Sequence, residues 1–274
     1  EEGVTASHSF VATANAIRNA GARPVFVDIE AATFNLDPAR IVAALSPRTR
    51  VLILNSPTNP TGSVYTRAEL DALAAVLRKT RVLVLSDEIY HRLSFAEAPS
   101  ASFAALPGML ERTITVNGMS KSYAMTGWRL GYAAGPQPII AGMARMQGQT
   151  TSGAASFVQA AAVAALTGEQ ECVERMRAAY VTRGARMWQA LSAMPGVRCA
   201  RPAGAFYCFP DVSGTFERLG VRDADGFAEC VLDRAHVALV AGTAFGSTRH
   251  VRLSFATSDA QIDEGLRRLA KLLG

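Results

Sequence analysis

The sequence predicts an α/β protein in two parts: a large domain on a mostly parallel sheet over residues 1–168, and a smaller C-terminal α/β domain over residues 169–274. The run VLILN (51–55) is continuously apolar up to its final asparagine, as a parallel strand covered on both faces requires. The run TITV (113–116) predicts a short buried strand. Helical patterns separate these runs, which is the element order of α/β folds. After a long helical stretch near residues 169–192, short strands and helices alternate again, which indicates the second layer.

The composition is that of a compact globular protein. With 274 residues, 49% of them hydrophobic and 19% charged, the chain is long and apolar enough to bury a large core and is not disordered. The net charge of +5 comes from scattered arginines without a basic block, so no nucleic-acid partner is predicted. The most apolar helical segment, residues 157–166, is too short to cross a bilayer, and no signal peptide is visible, so no membrane partner is predicted.

The four cysteines are widely spaced and form no CxxC pair, and they show no metal-ligand spacing with the four histidines. No metal site is predicted. The simplest interpretation is reduced, mostly buried thiols in a cytoplasmic protein. These cysteines are Cys172, Cys199, Cys208 and Cys230.

The first half of the chain has clear start and stop signals. Residues 1–30 show a strand, a turn, a helix near residues 10–20 and the strand PVFVDI, which is the beginning of a βαβ unit. Asp37 followed by proline predicts a helix start at DPARIVAAL. Thr66 and Glu69 have the spacing of a capping box for the helix that follows.

The second half continues the alternation. The strand VLVL (82–85) leads into SDEIY, and GYAAGP after Gly131 closes the sheet before helical connections over residues 136–168. In the smaller domain we expect strands at VRCARP, GAFYCFPDV, VALVAG and HVRLSFA, with helices near residues 224–235 and after Ser258.

One lysine, Lys121, lies in the stretch NGMSKSYAMTGWRLGY (117–132), directly after the predicted strand TITV. Ligands of open α/β sheets bind at the carboxyl ends of the strands. We expect the apolar residues of the stretch to surround the amine, and burial depresses the pKa of a lysine and makes it nucleophilic. These apolar residues are Met119, Tyr123, Met125 and Trp128.

This stretch resembles the Schiff-base lysine segment of class I/II aminotransferases, the fold-type I enzymes that use pyridoxal 5'-phosphate (PLP). The resemblance implies that Lys121 forms an imine with the cofactor aldehyde and that Arg129 holds the cofactor phosphate, for which a planar guanidinium is well suited. The residues at the signature positions are Gly118, Ser120, Lys121, Ala124, Met125, Gly127, Arg129 and Gly131.

Three further motifs follow the same family's order and extend the cofactor site. In the turn SPTNPTG (56–62), Asn59 matches the asparagine that binds the cofactor's phenolic oxygen and lies near the substrate carboxylate. In SDEIY, Asp87 matches the aspartate on the pyridine nitrogen and Tyr90 the tyrosine near the phenolic oxygen. A protonated pyridine is the good electron sink, which is why an anion is needed beside it. Phe10 is the candidate that stacks on the cofactor ring, with His8 in reserve.

The motif HVRLSFA contains the residue that is expected to bind the substrate. Arg252 matches the family arginine that grips the substrate's α-carboxylate, and strand alternation places it on the face opposite Val251 and Leu253. The resemblance also places Tyr207 and Phe245 near the substrate. Glu88 and His91 are expected to be supporting or exposed residues.

The resemblance implies a PLP-dependent aminotransferase (EC 2.6.1 type) that moves an amino group between an amino acid and a 2-oxo acid, in a cytoplasmic homodimer. Alternatives that stay open are a PLP-dependent lyase or synthase acting on amino acids, a non-catalytic ligand-sensing domain of a transcription regulator, and a truncated, inactive relative. The sugar aminotransferase branch is disfavoured by Arg252, since a nucleotide sugar has no α-carboxylate, although residues 7–30 resemble that branch.

The pattern breaks at its beginning. The family places a glycine- and serine-rich phosphate loop upstream of the point where this sequence starts with Glu1. Nothing in the chain replaces that loop, because SGAAS (152–156) follows the lysine. We therefore expect a fragment that lacks the amino-terminal segment and binds PLP weakly, with Arg129 holding the phosphate largely alone.

Overall fold

A computed structural model describes residues 1–96 and 100–274. Its larger sheet has six strands in the order β2-β1-β3-β4-β5-β6, of which the first five are parallel and β6 is antiparallel. The predicted mostly parallel sheet is confirmed. The strands are β1 (Glu2–Ala6), β2 (Arg23–Val27), β3 (Thr49–Asn55), β4 (Leu83–Asp87), β5 (Thr113–Gly118) and β6 (Gly131–Ala134).

Helices cover this sheet. Its main core lies between the strands and the two helices over residues 38–44 and 67–77. The core side chains Val4, Leu52 and Val84 on the strands pack with Leu70 and Leu73, and none of the five is more than 2% exposed. The helices of this part are α1 (Val11–Asn19), α2 (Pro38–Ala44), α3 (Arg67–Leu77), α4 (Gln137–Thr150) and α5 (Ser156–Thr167).

The predicted helix caps are confirmed. The Asp37 carboxylate accepts a hydrogen bond from the Ala39 backbone N–H at 2.8 Å and begins α2. At α3, Thr66 and Glu69 form the complete capping box, in which the Glu69 carboxylate accepts from the Thr66 N–H at 2.6 Å. These bonds satisfy first-turn N–H groups, so both helices begin where the sequence indicates.

The smaller sheet has three antiparallel strands in the order β7-β9-β8, packed with four helices. Its core includes Phe227, Val231, Val251 and Phe255, each at most 1% exposed. The separate cores support the proposed division at residue 168. The elements are α6 (Glu171–Ser192), β7 (Tyr207–Cys208), α7 (Phe216–Leu219), α8 (Ala224–Ala235), β8 (Val240–Ala241), β9 (Val251–Ser254) and α9 (Asp259–Leu273).

Three expected strands are shorter in the structure, and of VALVAG only the two residues of β8 are a strand. VRCARP forms only one isolated bridge, from Arg198 to Asp211, and GAFYCFPDV contributes only the two residues of β7. Pro202 and Pro210 fall in these segments, and a proline cannot donate to a strand ladder. Apolar patterning therefore overstated the extent of this sheet.

The cysteines also differ from expectation. All four thiols are free, but only Cys208 is buried, while Cys172 is exposed and Cys199 and Cys230 are half-buried. The expectation of mostly buried thiols was wrong, since Cys172 lies in the first turn of α6 on its solvent side. No group of histidine, cysteine and acidic residues suited to a metal ion occurs among the described residues. Within the same residues, no helix has the length and apolar content to cross a membrane.

An aromatic cluster joins the two sheets. His8, after β1, and Phe34 contact Phe209 and His250, which flank β7 and β9. The rings of Phe209 and His250 stack with centroids 4.9 Å apart and planes 9° from parallel. Burial lowers the pKa of His250 to about 4, so this imidazole is neutral at neutral pH and packs as an apolar ring.

Candidate active site

The carboxyl ends of β3, β4 and β5 meet at one edge of the larger sheet. Asn55 and Asp87 are adjacent in the β3–β4 register, and β5 ends at Gly118 immediately before the lysine loop. An alanine at Gly118 would place its Cβ 2.8 Å from the Leu130 carbonyl oxygen, so the strand β6 can approach only a glycine here. This close pairing brings the lysine loop over the ends of β3 and β4.

A cavity of about 530 Å³ opens at this edge. It brings together six of the seven residues predicted for the cofactor and substrate sites, while Arg129 is not among its lining residues. It also contains Tyr207, which the resemblance placed near the substrate. The six are Phe10, Asn59, Asp87, Tyr90, Lys121 and Arg252.

Lys121 is half-buried, and its amine faces aromatic rings. The Nζ atom lies 5.9 Å from the centroid of the Tyr90 ring and 5.8 Å from that of Phe206. Burial lowers the pKa of Lys121, and the charges of Arg129 and Arg252 lower it further. The amine forms no ion pair within the described part of the chain, and its lowered pKa favours the neutral, nucleophilic form.

The expected neighbour Trp128 does not cover this amine. Its side chain is 45% exposed and contacts the ring of Phe157 at a centroid distance of 6.4 Å. The prediction that Trp128 buries Lys121 was therefore wrong, and sequence proximity was the misleading signal. The ring of Phe206, which sequence reasoning missed, takes that place from the other sheet.

Asp87 presents a half-buried carboxylate to the cavity. Burial raises its pKa, which the N–H of Ile89, donating to Oδ1 at 3.2 Å, partly opposes. It forms no ion pair with any residue the structure describes, so a cation beside it would be stabilised. Its neighbour Glu88 is a supporting residue: it points the other way and accepts hydrogen bonds from Ser102 and from the Phe103 backbone N–H.

Asn59 and Arg252 meet across the two sheets. Arg252 Nη1 donates to Asn59 Oδ1 at 2.8 Å. The Arg252 guanidinium carbon lies 4.6 Å from the Tyr207 ring centroid and 4.9 Å from that of Phe245. Phe245 is buried, at 3% exposed, and stands behind the guanidinium instead of lining the cavity.

The turn that carries Asn59 is fixed by its neighbours. The Asn59 N–H donates to the side chain of Asn55, the last residue of β3, at 3.0 Å. The carbonyl of Gly62 accepts hydrogen bonds from the N–H groups of Ala203 and Gly204 at 2.8 and 2.9 Å. Sequence reasoning missed Asn55, although an asparagine at the end of a buried strand directly before a proline turn is a usable signal.

The remaining predicted residues lie around the cavity. Phe10 lines it at the start of α1 and is 48% exposed. His8 belongs to the aromatic cluster between the sheets and does not line the cavity. Arg129 is exposed, with Nη1 donating to the Thr126 carbonyl at 3.0 Å, yet close enough for its charge to lower the pKa of Lys121.

A second cavity, of about 590 Å³, lies between the start of α3, α6 and residues 201–203. Its described lining residues include neither a lysine nor an acidic side chain. Of these two cavities, the one with Lys121 and Asp87 therefore has the groups needed for nucleophilic and acid–base chemistry.

Comparison with known proteins agrees with this site. The family "Aminotransferase class I and II" matches residues 4–269. This chain belongs to that family. An aspartate aminotransferase of Geobacillus stearothermophilus is 42% identical over 259 residues, which cover 94% of this chain and 66% of the relative. An aspartate/prephenate aminotransferase of Nitrosomonas europaea is 43% identical, with 92% and 66% covered.

Solved aminotransferase structures share the fold. The aspartate aminotransferase from Rhizobium meliloti superposes with a TM-score of 0.93 at 36% identity, over 99% of this chain and 70% of the other. An aromatic aminotransferase from Pyrococcus horikoshii gives 0.93 at 38% identity, over 100% and 73%. The fold is therefore the fold-type I α/β fold of aminotransferases. The chain spans about two thirds of the length of its curated relatives, at 66% for the first of them.

The aminotransferase family depends on PLP, and side chains of this chain fit that group. The Lys121 amine could hold the aldehyde, and the Asp87 carboxylate, which lacks a cationic partner in the described residues, could hold a protonated pyridine nitrogen. Phe10 presents an exposed ring at the cavity wall. Arg129 is the positively charged residue nearest to Lys121 in sequence, and it would bind the phosphate.

The Gly62→Ala change tests how the Asn59 turn is held. Gly62 has φ +70°, and an added Cβ would lie 2.8 Å from the Tyr207 carbonyl oxygen. We expect the free energy of unfolding to fall by about 1–3 kcal/mol, the usual cost of a strained left-handed residue. Urea unfolding followed by circular dichroism measures it.

The matched control is Gly265→Ala in α9, where an added Cβ meets no atom within 4 Å. This change should leave stability within about 1 kcal/mol, on the stabilising side. Equal stability of the two variants would show that the turn does not need the close approach to β7.

Proposed function

We propose that this chain carries the active site of a PLP-dependent aminotransferase that moves an amino group between an amino acid and a 2-oxo acid. The observation that supports this most is the position of Lys121. Its amine has a lowered pKa and shares one cavity with Asp87, Asn59 and Arg252, so a nucleophile, an anion and a carboxylate-binding cation face one space.

Bound PLP supplies the electron sink for the carbanion formed at the substrate α carbon. The chain's own contribution is proton transfer by Lys121, which would take the proton from the substrate α carbon and deliver it to the cofactor carbon, as amino-group transfer requires. A general base must be unprotonated before it acts, and the lowered pKa of Lys121 favours that form. The rings of Tyr90 and Phe206 lie beside the amine and make its surroundings less polar.

Asp87 keeps the pyridine nitrogen protonated in this proposal. Burial, and to a smaller extent the charge of Glu88, raise the pKa of the Asp87 carboxyl, which means that its charged form is only partly compensated. A pyridinium N–H directed at the carboxylate supplies that compensation through a charge-assisted hydrogen bond. Asn59 and Tyr90 are proposed to contact the cofactor's phenolic oxygen, Phe10 to stack on its ring, and Arg129 to bind its phosphate.

Arg252 is proposed to bind the substrate's α-carboxylate. The Tyr207 and Phe245 rings cover its guanidinium, so its N–H groups can point only outward from the edges. Nη1 donates to Asn59, and no acceptor for the other nitrogens occurs among the described residues. A carboxylate matches these remaining donors as a bidentate partner.

The substrates proposed first are acidic amino acids with a 2-oxo acid acceptor. Support comes from the names of similar proteins, which include aspartate aminotransferases at 42% and 39% identity. A lyase or synthase reaction at the same residues would consume the amino acid without transferring nitrogen to the acceptor, so an acceptor assay separates these reactions.

A homodimer is the proposed assembly. Helix α4 has no buried residue, and large apolar side chains on α4 and α5 are exposed: Met146 at 68%, Phe157 at 70% and Val163 at 60%. Such a patch exceeds ordinary scattered exposure and fits an interface. A cytoplasmic location is proposed as well, because all four thiols are free.

Borohydride reduction of the protein mixed with PLP should label Lys121. The chain has three lysines. The other two are exposed and do not line the cavity, Lys79 in the turn after α3 and Lys271 on α9, so peptide mapping distinguishes them from Lys121. Lys121→Ala should abolish both the label and nitrogen transfer from aspartate to 2-oxoglutarate, whereas Lys79→Ala should retain both. The amount of reduced pyridoxyl-lysine and the rate of glutamate formation are the measurements.

The outcomes separate three cases. Label and transfer at Lys121 support the proposal. Label on Lys121 only in a chain extended upstream indicates that this stretch needs the residues that its relatives have beyond the matched two thirds. Absence of label in both chains contradicts the aminotransferase proposal.

Sedimentation equilibrium tests the dimer. We expect twice the chain mass of 29.0 kDa for the unchanged protein. Phe157→Glu should shift the mass towards the monomer, because a charge at an apolar interface is desolvated without a partner. Leu232→Glu, on α8 and 52% exposed, is the control and should not change the mass. A monomer at micromolar concentration in the unchanged protein would contradict the proposal.

A further inference from the structure

Tyr207 touches both halves of the candidate site. Its hydroxyl lies 2.9 Å from the hydroxyl of Tyr90, on the cofactor side. Its ring centroid lies 4.6 Å from the guanidinium carbon of Arg252, on the substrate side. The side chain is only 6% exposed, so both contacts are made by a ring that has little freedom to move.

The two hydroxyls share one hydrogen bond. Burial raises the pKa of Tyr90 and of Tyr207, so both are protonated at neutral pH. The Tyr207 hydroxyl has no hydrogen-bond acceptor other than Tyr90 in the described part of the chain. Either hydroxyl can be the donor of this pair. When Tyr207 donates, the Tyr90 O–H is left to donate into the cavity that it lines.

The backbone holds Tyr207 at this position from three sides. Tyr207 pairs with Ser254 in the β7–β9 register. One residue earlier, the carbonyl of Phe206 accepts from the Phe255 N–H at 3.0 Å. The N–H of Ala205 donates to the Leu93 carbonyl at 3.0 Å, three residues after Tyr90. The ring is thus fixed relative to both of its partners.

We propose that Tyr207 is a positioning residue of this site, an inference that rests on the proposed aminotransferase function. Its hydroxyl orients the Tyr90 hydroxyl as a donor into the cavity. Its ring face holds the Arg252 guanidinium in place for the substrate carboxylate. A single side chain thereby sets the distance between the cofactor-side donor and the carboxylate-binding cation.

Two substitutions separate the two contacts. Tyr207→Phe removes the hydroxyl and keeps the ring face against Arg252, whereas Tyr207→Leu removes both. The control is Tyr180→Phe, since the Tyr180 ring packs on Phe206 at 5.5 Å and its hydroxyl forms no hydrogen bond with the described residues. Circular dichroism melting establishes that all three variants fold.

Calorimetric titration of the PLP-free protein with 2-oxoglutarate measures how much the contact between the Tyr207 ring and Arg252 contributes to binding. Tyr207→Leu should raise the dissociation constant of 2-oxoglutarate about fivefold, as expected for the loss of one cation–π contact. Tyr207→Phe and Tyr180→Phe should stay within about twofold of the unchanged protein. Unchanged affinity in Tyr207→Leu would overturn the role of the ring.

The pH dependence of the absorbance of bound PLP measures the effect of the hydrogen bond between the Tyr207 and Tyr90 hydroxyls. A hydroxyl donor stabilises an anionic oxygen, so loss of the oriented Tyr90 donor in Tyr207→Phe should move the spectral midpoint upward, while Tyr180→Phe should not move it. Tyr207→Phe should also lower kcat about threefold with little change in KM. A midpoint and kcat equal to those of the unchanged protein would overturn the role of the hydroxyl.

The two proposals fail in different ways. If Lys121 takes no label from PLP while Tyr207→Leu still weakens 2-oxoglutarate binding, the aminotransferase function fails and the positioning of Arg252 by Tyr207 stands. If Lys121 is labelled and neither Tyr207 variant differs from Tyr180→Phe, the function stands and the positioning role is wrong.

Discussion

The hydrogen bond from Arg252 Nη1 to Asn59 Oδ1, 2.8 Å long, joins the two sheets at the cavity. Each partner is fixed independently: Asn59 by Asn55 and the packing of Gly62, and Arg252 by its strand and two aromatic rings. The site therefore depends on contact between sheets more than on either sheet alone.

The surroundings of Lys121 in the cavity destabilise the protonated form of its amine. Burial, Arg129 and Arg252 all lower the pKa of Lys121, and Asp87 alone opposes them. One pKa unit corresponds to about 1.4 kcal/mol, so modest displacements of these charges change the fraction of neutral amine several-fold. The same two arginines are the groups proposed to bind the cofactor phosphate and the substrate carboxylate. Anions bound there would offset their effect on Lys121.

Much of the fold could be predicted because its signals are local. The apolar run of β3, the capping box of Thr66 and Glu69, and the lysine loop after β5 are each encoded in one short continuous stretch of sequence. The errors concern contacts between distant segments. Trp128 lies next to Lys121 in sequence but faces Phe157, while Phe206, from the other sheet, lies beside the amine. In GAFYCFPDV the apolar pattern predicted a longer strand than the two residues of β7. Pro210 is a local signal against that length, whereas the bridges of Asp211 to Arg198 and His250 are distant contacts that the sequence does not show.

Lysine-selective NMR tests the central claim, that the cavity holds Lys121 with a depressed pKa under opposing charges. Because the chain has only three lysines, protein labelled with [ε-13C]lysine gives resonances that Lys121→Ala assigns directly. We predict that Lys121 titrates below the ordinary lysine value of about 10.4, that Arg252→Gln raises the midpoint and that Asp87→Asn lowers it. Titration of Lys121 at or above about 10.4, unchanged by either substitution, would contradict the account.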